Sequence, residues 1–396
     1  MPSPRLAIVV SHPTQYYSPW FRWMAQNGGL SLRVFYLWDA GVTPKLDPRF
    51  GRTFAWDVDL LFGYEHEFVA NTAKAPTTER FSGLQNPGLT RRLARWKPDA
   101  ILLFGYAYRS HLHVLWWAWR TRTPVVFRGD SHVLGRTLAT GLKGKAMRAL
   151  FRRFASVTFV GEANRDYFLE LGVPESRLFF APHCVDRGLF DPELPVHRER
   201  ADALRTHLRL TPDLRVVLFA GKLVPSKQPR ALLDAFIASA PLNVVLIFVG
   251  DGEDKAALEA RAATAGCMDR TVFFLPFSNQ SEMPSRYLLA SLFVLPSRGV
   301  YETWGLAVNE AMEMNVPCLV SDRVGCQRDL VTDGETGWVF PAEDTLALRA
   351  TLERAMSDLS LRGKEIRAKA KARISLYRYD RATAGLQLAL QSALAR

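Results

Sequence analysis

Residues 295–317 read LPSRGVYETWGLAVNEAMEMNVP, and two glutamates of this stretch, Glu302 and Glu310, stand eight positions apart. Upstream, Ser291–Pro296 (SLFVLP) is a short apolar run of the buried-strand type, closed by proline. Between the acids, Thr303-Trp304-Gly305-Leu306 reads as a tight loop opening a helix lined by Leu306, Met312 and small alanines. The helix is predicted to stop at Asn315, which tolerates a left-handed cap, with Pro317 close behind. The first amides of a helix have no internal partner, and the helix dipole makes that end positive. A phosphate held there needs close backbone approach, which Gly305 permits. Glu302 in the loop suits the hydroxyls of a neutral ligand, and Glu310, one to two turns into the helix, suits both hydroxyls of a ribose. The set fits a nucleoside diphosphate carrying a sugar. The two acids alone fit a pair of solvated helix glutamates equally well, so the flanking chain has to decide.

The full chain of 396 residues, 48% hydrophobic and 23% charged, suits a soluble globular protein of two domains, or at most three. Its net charge of +12 is unevenly placed: residues 1–185 hold 24 Lys and Arg against 13 Asp and Glu, residues 186–396 hold 27 against 26. A basic first half calls for an anionic partner, such as a membrane surface, an acidic or phosphorylated acceptor, or nucleic acid. Nucleic acid is set aside because no aromatic-interleaved binding motif accompanies the charge. Cys184, Cys267, Cys318 and Cys326 lack CxxC spacing and read as reduced, mostly buried thiols of a cytosolic protein without a zinc site. Arg5 leads directly into the five-residue run Leu6–Val10, which is not a signal peptide, and no apolar run is long enough to span a bilayer.

In chain order, Leu6–Val10 is a buried strand, Ser11–Tyr17 a polar loop, and Pro19–Ala25 the start of a helix. Ligands of a doubly wound sheet sit at the carboxyl ends of its strands, so His12 and Gln15 are expected to face a cleft or to serve as plain turn residues. Residues 39–80 are long, irregular and unplaced; the Asp57-Val58-Asp59 triplet within them has no flanking strand and is discounted as a metal motif. Strands follow at Ala100–Phe104 and Pro124–Phe127, the latter ending in Arg128-Gly129-Asp130-Ser131-His132. His111 and His113 lie on different faces of a Trp-rich helix, which argues against a shared metal. Residues 142–154 form a basic amphipathic helix, with Lys145, Arg148 and Arg152 on one side and Leu142, Ala146, Leu150 and Phe154 on another. It reads either as packed on the sheet or as docking on anionic lipid. Pro192, Pro195 and the charged run His197–Arg200 mark a linker. The alternation then restarts: strand Arg215–Phe219, loop Gly221–Lys227, strand Val244–Val249 into Gly250-Asp251-Gly252, strand Thr271–Leu275, the 295–317 unit, strand Cys318–Ser321, and closing helices at 343–357, 361–372 and 380–395. The expected fold is α/β, two Rossmann-like doubly wound domains facing a cleft: residues 1–186, a linker 187–200, residues 201–375, and a helix 376–396 packing back on the first domain.

With these pieces in order, the second half resembles the retaining glycosyltransferases of GT-B type, family 4. Gly221-Lys222-Leu223 with Lys227 is similar to that family's Gly-Arg-Leu…Lys loop, Gly250-Asp251-Gly252 to its Gly-Asp-Gly turn, and Leu275–Ser278, including Phe277, to its base-holding loop. Pro296-Ser297, Glu302, Trp304-Gly305-Leu306 and Glu310-Ala311-Met312 resemble the Pro-Ser…Glu-x₇-Glu signature, and Asp333-Gly334 with Thr336-Gly337 the closing turn. The resemblance implies Lys222, Lys227, Gly250, Phe277, Thr303, Trp304, Gly305, Leu306 and Glu310 at the donor, Glu302 at the reacting carbon, and Asp130 or His132 in the catalytic position of the first domain. His12 and Gln15 would line the acceptor loop. Lys222 stands where arginine is commoner, Asn315 where glycine is usual, and Pro182-His183-Cys184-Val185-Asp186 where Pro-Asn-Gly-Val-Asp is usual. The resemblance also implies transfer of a hexose-type sugar from a nucleoside diphosphate sugar to an acceptor hydroxyl. The acceptor is expected to be a sugar, a lipid-linked sugar or a small molecule, in the synthesis of cell-surface polysaccharide, lipopolysaccharide or glycolipid. Fixed cations and helix amides would replace a metal, so no metal or further cofactor is expected. The expected place is the cytoplasm, at the inner face of the plasma membrane, with the basic half against anionic lipid. A sugar-nucleotide epimerase or hydrolase on the same fold, and a non-catalytic sugar-nucleotide-binding subunit, are the competing readings.

Overall fold

The computed structural model describes residues 3–47, 51–135, 137–299 and 302–395. Val300 and Tyr301 of the quoted stretch lie outside them. The first half runs β1 (Arg5–Val10), α1 (Tyr17–Asn27), β2 (Ser31–Tyr36), β3 (Lys45–Asp47), β4 (Arg52–Phe54), β5 (His66–Phe68), α2 (Leu89–Trp96), β6 (Ala100–Phe104), α3 (Arg109–Thr121), β7 (Val125–Arg128), α4 (Gly141–Phe151), β8 (Ser156–Phe159), α5 (Glu162–Glu170) and β9 (Leu178–Phe180). The second runs α6 (Pro195–His207), β10 (Arg215–Ala220), α7 (Pro229–Ser239), β11 (Val244–Val249), α8 (Lys255–Thr264), β12 (Val272–Leu275), α9 (Met283–Leu289), β13 (Leu292–Leu295), α10 (Leu306–Glu313), β14 (Cys318–Ser321), α11 (Gln327–Leu330) and β15 (Gly337–Phe340). Two long helices close the chain, α12 (Thr345–Ile374) and α13 (Tyr379–Leu394).

The inner strands are mostly continuous apolar runs because both faces of each sheet are covered by helices: all six residues of β11, VVLIFV, are buried. They assemble into two parallel sheets, ordered β5-β2-β1-β6-β7-β8-β9 and β12-β11-β10-β13-β14-β15. Chain order reverses between β1 and β6 in the first sheet and between β10 and β13 in the second, so each domain has its switch point where ligands of such sheets collect. The loops after β10 and β13, which carry Lys222, Lys227 and Glu302, flank the second of these.

Several local details differ from the sequence reading. Residues 39–80 contain the antiparallel hairpin β3–β4 and the sheet-edge strand β5. The charged run His197–Arg200 is helical, inside α6, because Pro195 is preset for a first helical turn. α4 ends at Phe151, short of the helix expected over 142–154; Phe154, just beyond it, is buried, but Leu142 and Ala146 face solvent. α12 breaks helical geometry at Arg362, separating its two halves near the place where two helices were expected. Asn315 does adopt the left-handed conformation, with φ +61°.

α13 crosses back onto the first domain. Trp20 Nε1 donates to Thr383 Oγ1 at 2.9 Å, Ser156 Oγ to the Ala389 carbonyl at 2.9 Å, and Gln387 to the Gly28 carbonyl at 2.9 Å. Ala382, Leu386, Ala389 and Leu390 complete a core with Trp20, Phe21 and Met24 of α1. The two domains are therefore joined twice, by the 181–194 connection and by the turn between α12 and α13.

Candidate active site

A cavity of about 750 Å³ opens between the two sheets. From the second domain it is lined by Lys222 and Lys227, Gly250, Phe277, Gln280, Glu302 to Ala307, and Glu310; from the first, by Gln15, Tyr16, Asp47, Phe54, Trp56 and Asp130. Lys227 and Glu310 thus face one space, as do Thr303, Trp304, Gly305 and Leu306.

Each second-domain residue is placed by its strand end. Gly250, at the exit of β11, has φ +142°, and a Cβ there would fall 2.0 Å from the Gly221 carbonyl oxygen at the exit of β10. Only glycine lets the two loops touch, and that contact, with the Leu223 amide donating to the Asp251 carbonyl at 3.0 Å, fixes the Lys222 loop. Gly305 opens α10 at φ +97°, but its added Cβ would meet Val324 at 2.8 Å and Leu295 at 3.3 Å. Its small size is thus demanded by the protein's own core as well as by any anion at the helix start. Trp304 is buried, its Nε1 donating to Asn309 Oδ1 at 2.8 Å, so its ring braces the loop beside His183 and Tyr377.

Both lysines hold carboxylates. Lys222 Nζ lies 2.8 Å from Asp47 of the β3–β4 hairpin, and Lys227 Nζ contacts Glu302. Glu310 is buried and accepts from Tyr287 (2.8 Å), Tyr16 (3.1 Å) and Gln280 (3.2 Å). Burial pushes its carboxyl up, and those three hydrogen bonds oppose the shift. The Phe277 amide donates to Asp251 at 3.1 Å, and the Phe277 ring packs on Phe54 at 4.9 Å with Arg52 above it. Phe277 is accordingly held by an aromatic contact from the opposite domain.

Of Asp130 and His132, only Asp130 lines the cavity. Asp130 faces the cavity, accepts from the Thr303 hydroxyl at 2.8 Å and has His183 Nε2 at 3.5 Å. Burial would raise the Asp130 carboxyl; its contacts with His183 and Thr303 outweigh that and hold it below the usual range. His132 is buried away from the cavity. Its Nδ1 accepts from the Leu134 amide, and its Nε2 lies 3.1 Å from the Glu302 carbonyl, so it tethers the Glu302 loop across the domain boundary. Gln15 lines the cavity, but His12 does not: it packs edge-on to Trp38 with Ser11 at 3.0 Å, and burial lowers its pKa to about 4. Of the two readings open for His12, cleft-facing or turn residue, the cleft-facing one does not hold for this cavity, because the loop after β1 presents Gln15 and Tyr16 to it and leaves half-buried His12 against Trp38.

Tyr16, Asp47, Phe54, Gln280, Tyr287 and His183 escaped the sequence reading. His183 had a signal, since it stands at the departure Pro182-His183-Cys184. Asp47 and Phe54 had none, lying in the unplaced segment. The discounted Asp57-Val58-Asp59 is structural: Asp57 accepts from the Ser281 amide, and Asp59 from the amides of Leu61 and Phe62. Among the described residues, no three His, Cys, Asp or Glu side chains converge as metal ligands.

Two family models match the chain. Residues 201–373 match "Glycosyl transferases group 1", and residues 36–189 match "Glycosyltransferase Family 4". The D-inositol 3-phosphate glycosyltransferase of Xylanimonas cellulosilytica is 28% identical over 236 residues, 59% of this chain and 55% of that one. The GDP-mannose-dependent alpha-(1-6)-phosphatidylinositol monomannoside mannosyltransferase of Mycolicibacterium smegmatis is 29% identical over 220 residues, 54% of this chain and 56% of that one. The chain thus spans about half the length of these curated relatives. In fold it is similar to Anabaena Alr3699/HepE, solved in complex with UDP and glucose: TM-score 0.72 at 17% identity, covering 98% of this chain and 100% of that one. With both halves matched and two parallel-sheet domains closing on one cleft, the chain belongs to the family 4, group 1 glycosyltransferases of GT-B fold.

Proposed function

We propose that the chain is a retaining transferase that moves a hexose-type sugar from a nucleoside diphosphate sugar to an acceptor hydroxyl. The observation that carries this reading is the convergence of Lys222, Lys227, the first turn of α10, Glu302 and Glu310 on one cavity. The diphosphate would replace the carboxylates of Asp47 and Glu302 at the two lysines, with the α10 amides completing the anion site. Glu310 would exchange Tyr16 or Gln280 for ribose hydroxyls. In the transfer, the bond from the sugar's anomeric carbon to the phosphate oxygen breaks and a bond from that carbon to the acceptor oxygen forms on the same face. The acceptor proton passes to the departing phosphate. The negative charge that grows on the phosphate meets fixed cations and dipoles, which need no reorganisation, so no metal is required. Glu302 and Asp130 flank the transferred sugar, Asp130 reaching it from the opposite domain. The acceptor is a sugar, a lipid-linked sugar or a small molecule, met at the cytoplasmic face of an anionic membrane. The named substrates of the two curated relatives, an inositol phosphate and a phosphatidylinositol mannoside, are consistent with an acceptor bearing phosphate beside the basic first domain.

A thermal-shift screen of nucleotide sugars tests donor binding, because a bound donor raises stability by mass action. The matching donor then goes with and without acceptors into product analysis in EDTA. Transfer with retained anomeric configuration supports the reading. Isomerised or hydrolysed donor in the absence of acceptor overturns it in favour of an epimerase or hydrolase, and donor binding with no turnover of any kind points to a binding subunit.

A further inference from the structure

Helix α3 carries an apolar stripe that none of the described residues covers. Leu112, Trp116 and Trp119 recur at helical spacing and are 43%, 59% and 37% exposed, while His111, Val114, Leu115 and Ala118 on the opposite side are buried. Arg109, His113 and Arg120 flank the stripe and are exposed. The Arg120 guanidinium lies over the Trp116 ring at 4.7 Å, and that of Arg153 over Trp119 at 5.0 Å. The neighbouring α4 packs into the same core through Phe151, and its first turn presents Leu142, 86% exposed, beside exposed Lys143 and Lys145. Across residues 100–161 the sequence has one carboxylate, Asp130, and that residue is in the cleft.

Exposed tryptophans with arginine on their faces, aliphatic tips, and cations unopposed by acids of their own helices suit the boundary between lipid headgroups and acyl chains. A second copy of the chain fits poorly, since a face-to-face pair would bring like charges together. Nucleic acid fits poorly as well, since Leu112 and Leu142 offer nothing to bases or phosphates. Because the strands are parallel, α3 and α4 both begin at the cleft end of the sheet and run away from it. The face therefore extends from the cleft rim, at Leu112 and Leu142, to the far end, at Trp119 and Arg153.

We infer that the outer face of α3, with the first turn of α4, is a docking surface for an anionic phospholipid bilayer, holding the chain by interfacial adsorption with its cleft mouth near the lipid. This deepens the membrane part of the function proposed above and is independent of the donor chemistry. Among the described residues no helix is long and apolar enough to cross a membrane, so attachment through this face would be peripheral.

The test is co-sedimentation of the full chain with vesicles of phosphatidylcholine alone or with roughly one-third phosphatidylglycerol. Binding at least about tenfold tighter to the anionic vesicles, and weakened by salt, is expected. Trp116→Ala with Trp119→Ala should weaken it at least about tenfold, and Arg120→Ala with Lys143→Ala and Lys145→Ala should remove the preference for anionic lipid. Both variants should keep the wild-type melting transition and the wild-type thermal shift with nucleotide sugar, since none of these residues lines the cleft cavity. Folded variants that bind vesicles as the wild type does would overturn the surface, as would self-association through these residues without vesicle binding. If vesicle binding behaves as expected while no nucleotide sugar shifts the melting transition, the docking surface stands and the transferase reading fails.

Discussion

The two domains reach the cleft by different means. The second presents Lys222, Lys227, Glu302 and the start of α10 on short loops at the ends of β10 and β13, braced by close contacts inside the same domain: Gly250 against Gly221, and Gly305 against Val324 and Leu295. The first presents Tyr16, Asp47, Phe54 and Asp130, and each of these is held by the other domain, through Glu310, Lys222, Phe277 and Thr303 respectively. A site residue supported within its own domain keeps its place when the domains separate; one supported across the cleft does not. The glycine-braced loop backbones of the second domain are thus expected to be preformed, while the pairs made across the cleft, Asp47 with Lys222 and Phe54 with Phe277 among them, assemble on closure.

The sharpest way to break this contrast is at a lysine carried by those preformed loops. Lys227→Ala should lower kcat/KM by about 10³-fold, roughly 4 kcal/mol, with Glu302→Gln of similar size. A steady-state loss under about tenfold in either would end the assignment of the donor site. Next, Asp130→Asn should cost about 10²-fold in kcat, whereas His132→Gln should cost no more than about tenfold, because His132 only tethers the Glu302 carbonyl. Equal losses would erase the distinction drawn between the two. Gly305→Ala tests the local brace: at φ +97° and 2.8 Å from Val324, the added methyl should destabilise the fold by about 2 kcal/mol in denaturant titration. The smallest effect is the most telling for the first domain. On the proposed function, Asp47 would compete with the diphosphate for Lys222 through a partly exposed ion pair, so Asp47→Ala should lower the donor KM by about threefold with kcat nearly unchanged. A rise in KM would mean that the hairpin helps to bind donor.

The same contrast explains what was legible beforehand. Glu302, Glu310, Lys222, Lys227 and Gly250 were found because loop chemistry, strand and helix recur there at short spacing, and the cavity gathers all of them. Asp130 and His132 were found as a pair but could not be separated. They are two residues apart on one loop, and only the packing of His132 beneath Glu302 tells them apart. His12 stayed undecided between cleft and turn because polarity in a loop says nothing about which way the loop turns. The 39–80 segment stayed blank because its hairpin is anchored by contacts roughly two hundred positions away, Asp47 to Lys222 and Arg52 to Asp251, which leave no periodicity in the chain.

By itself the sequence determined the alternation of buried strand and helix, the parallel α/β class, and the acids and lysines that the second domain brings to the cavity. Each of these follows from side-chain burial or backbone chemistry acting over a few residues. The tertiary structure alone decided which first-domain residues enter the cleft, that both lysines are held by carboxylates, and that Trp116 and Trp119 of α3 point outward while Trp117 packs on the core. Those outcomes depend on how two sheets and a returning helix pack, and packing joins residues that chain order keeps apart.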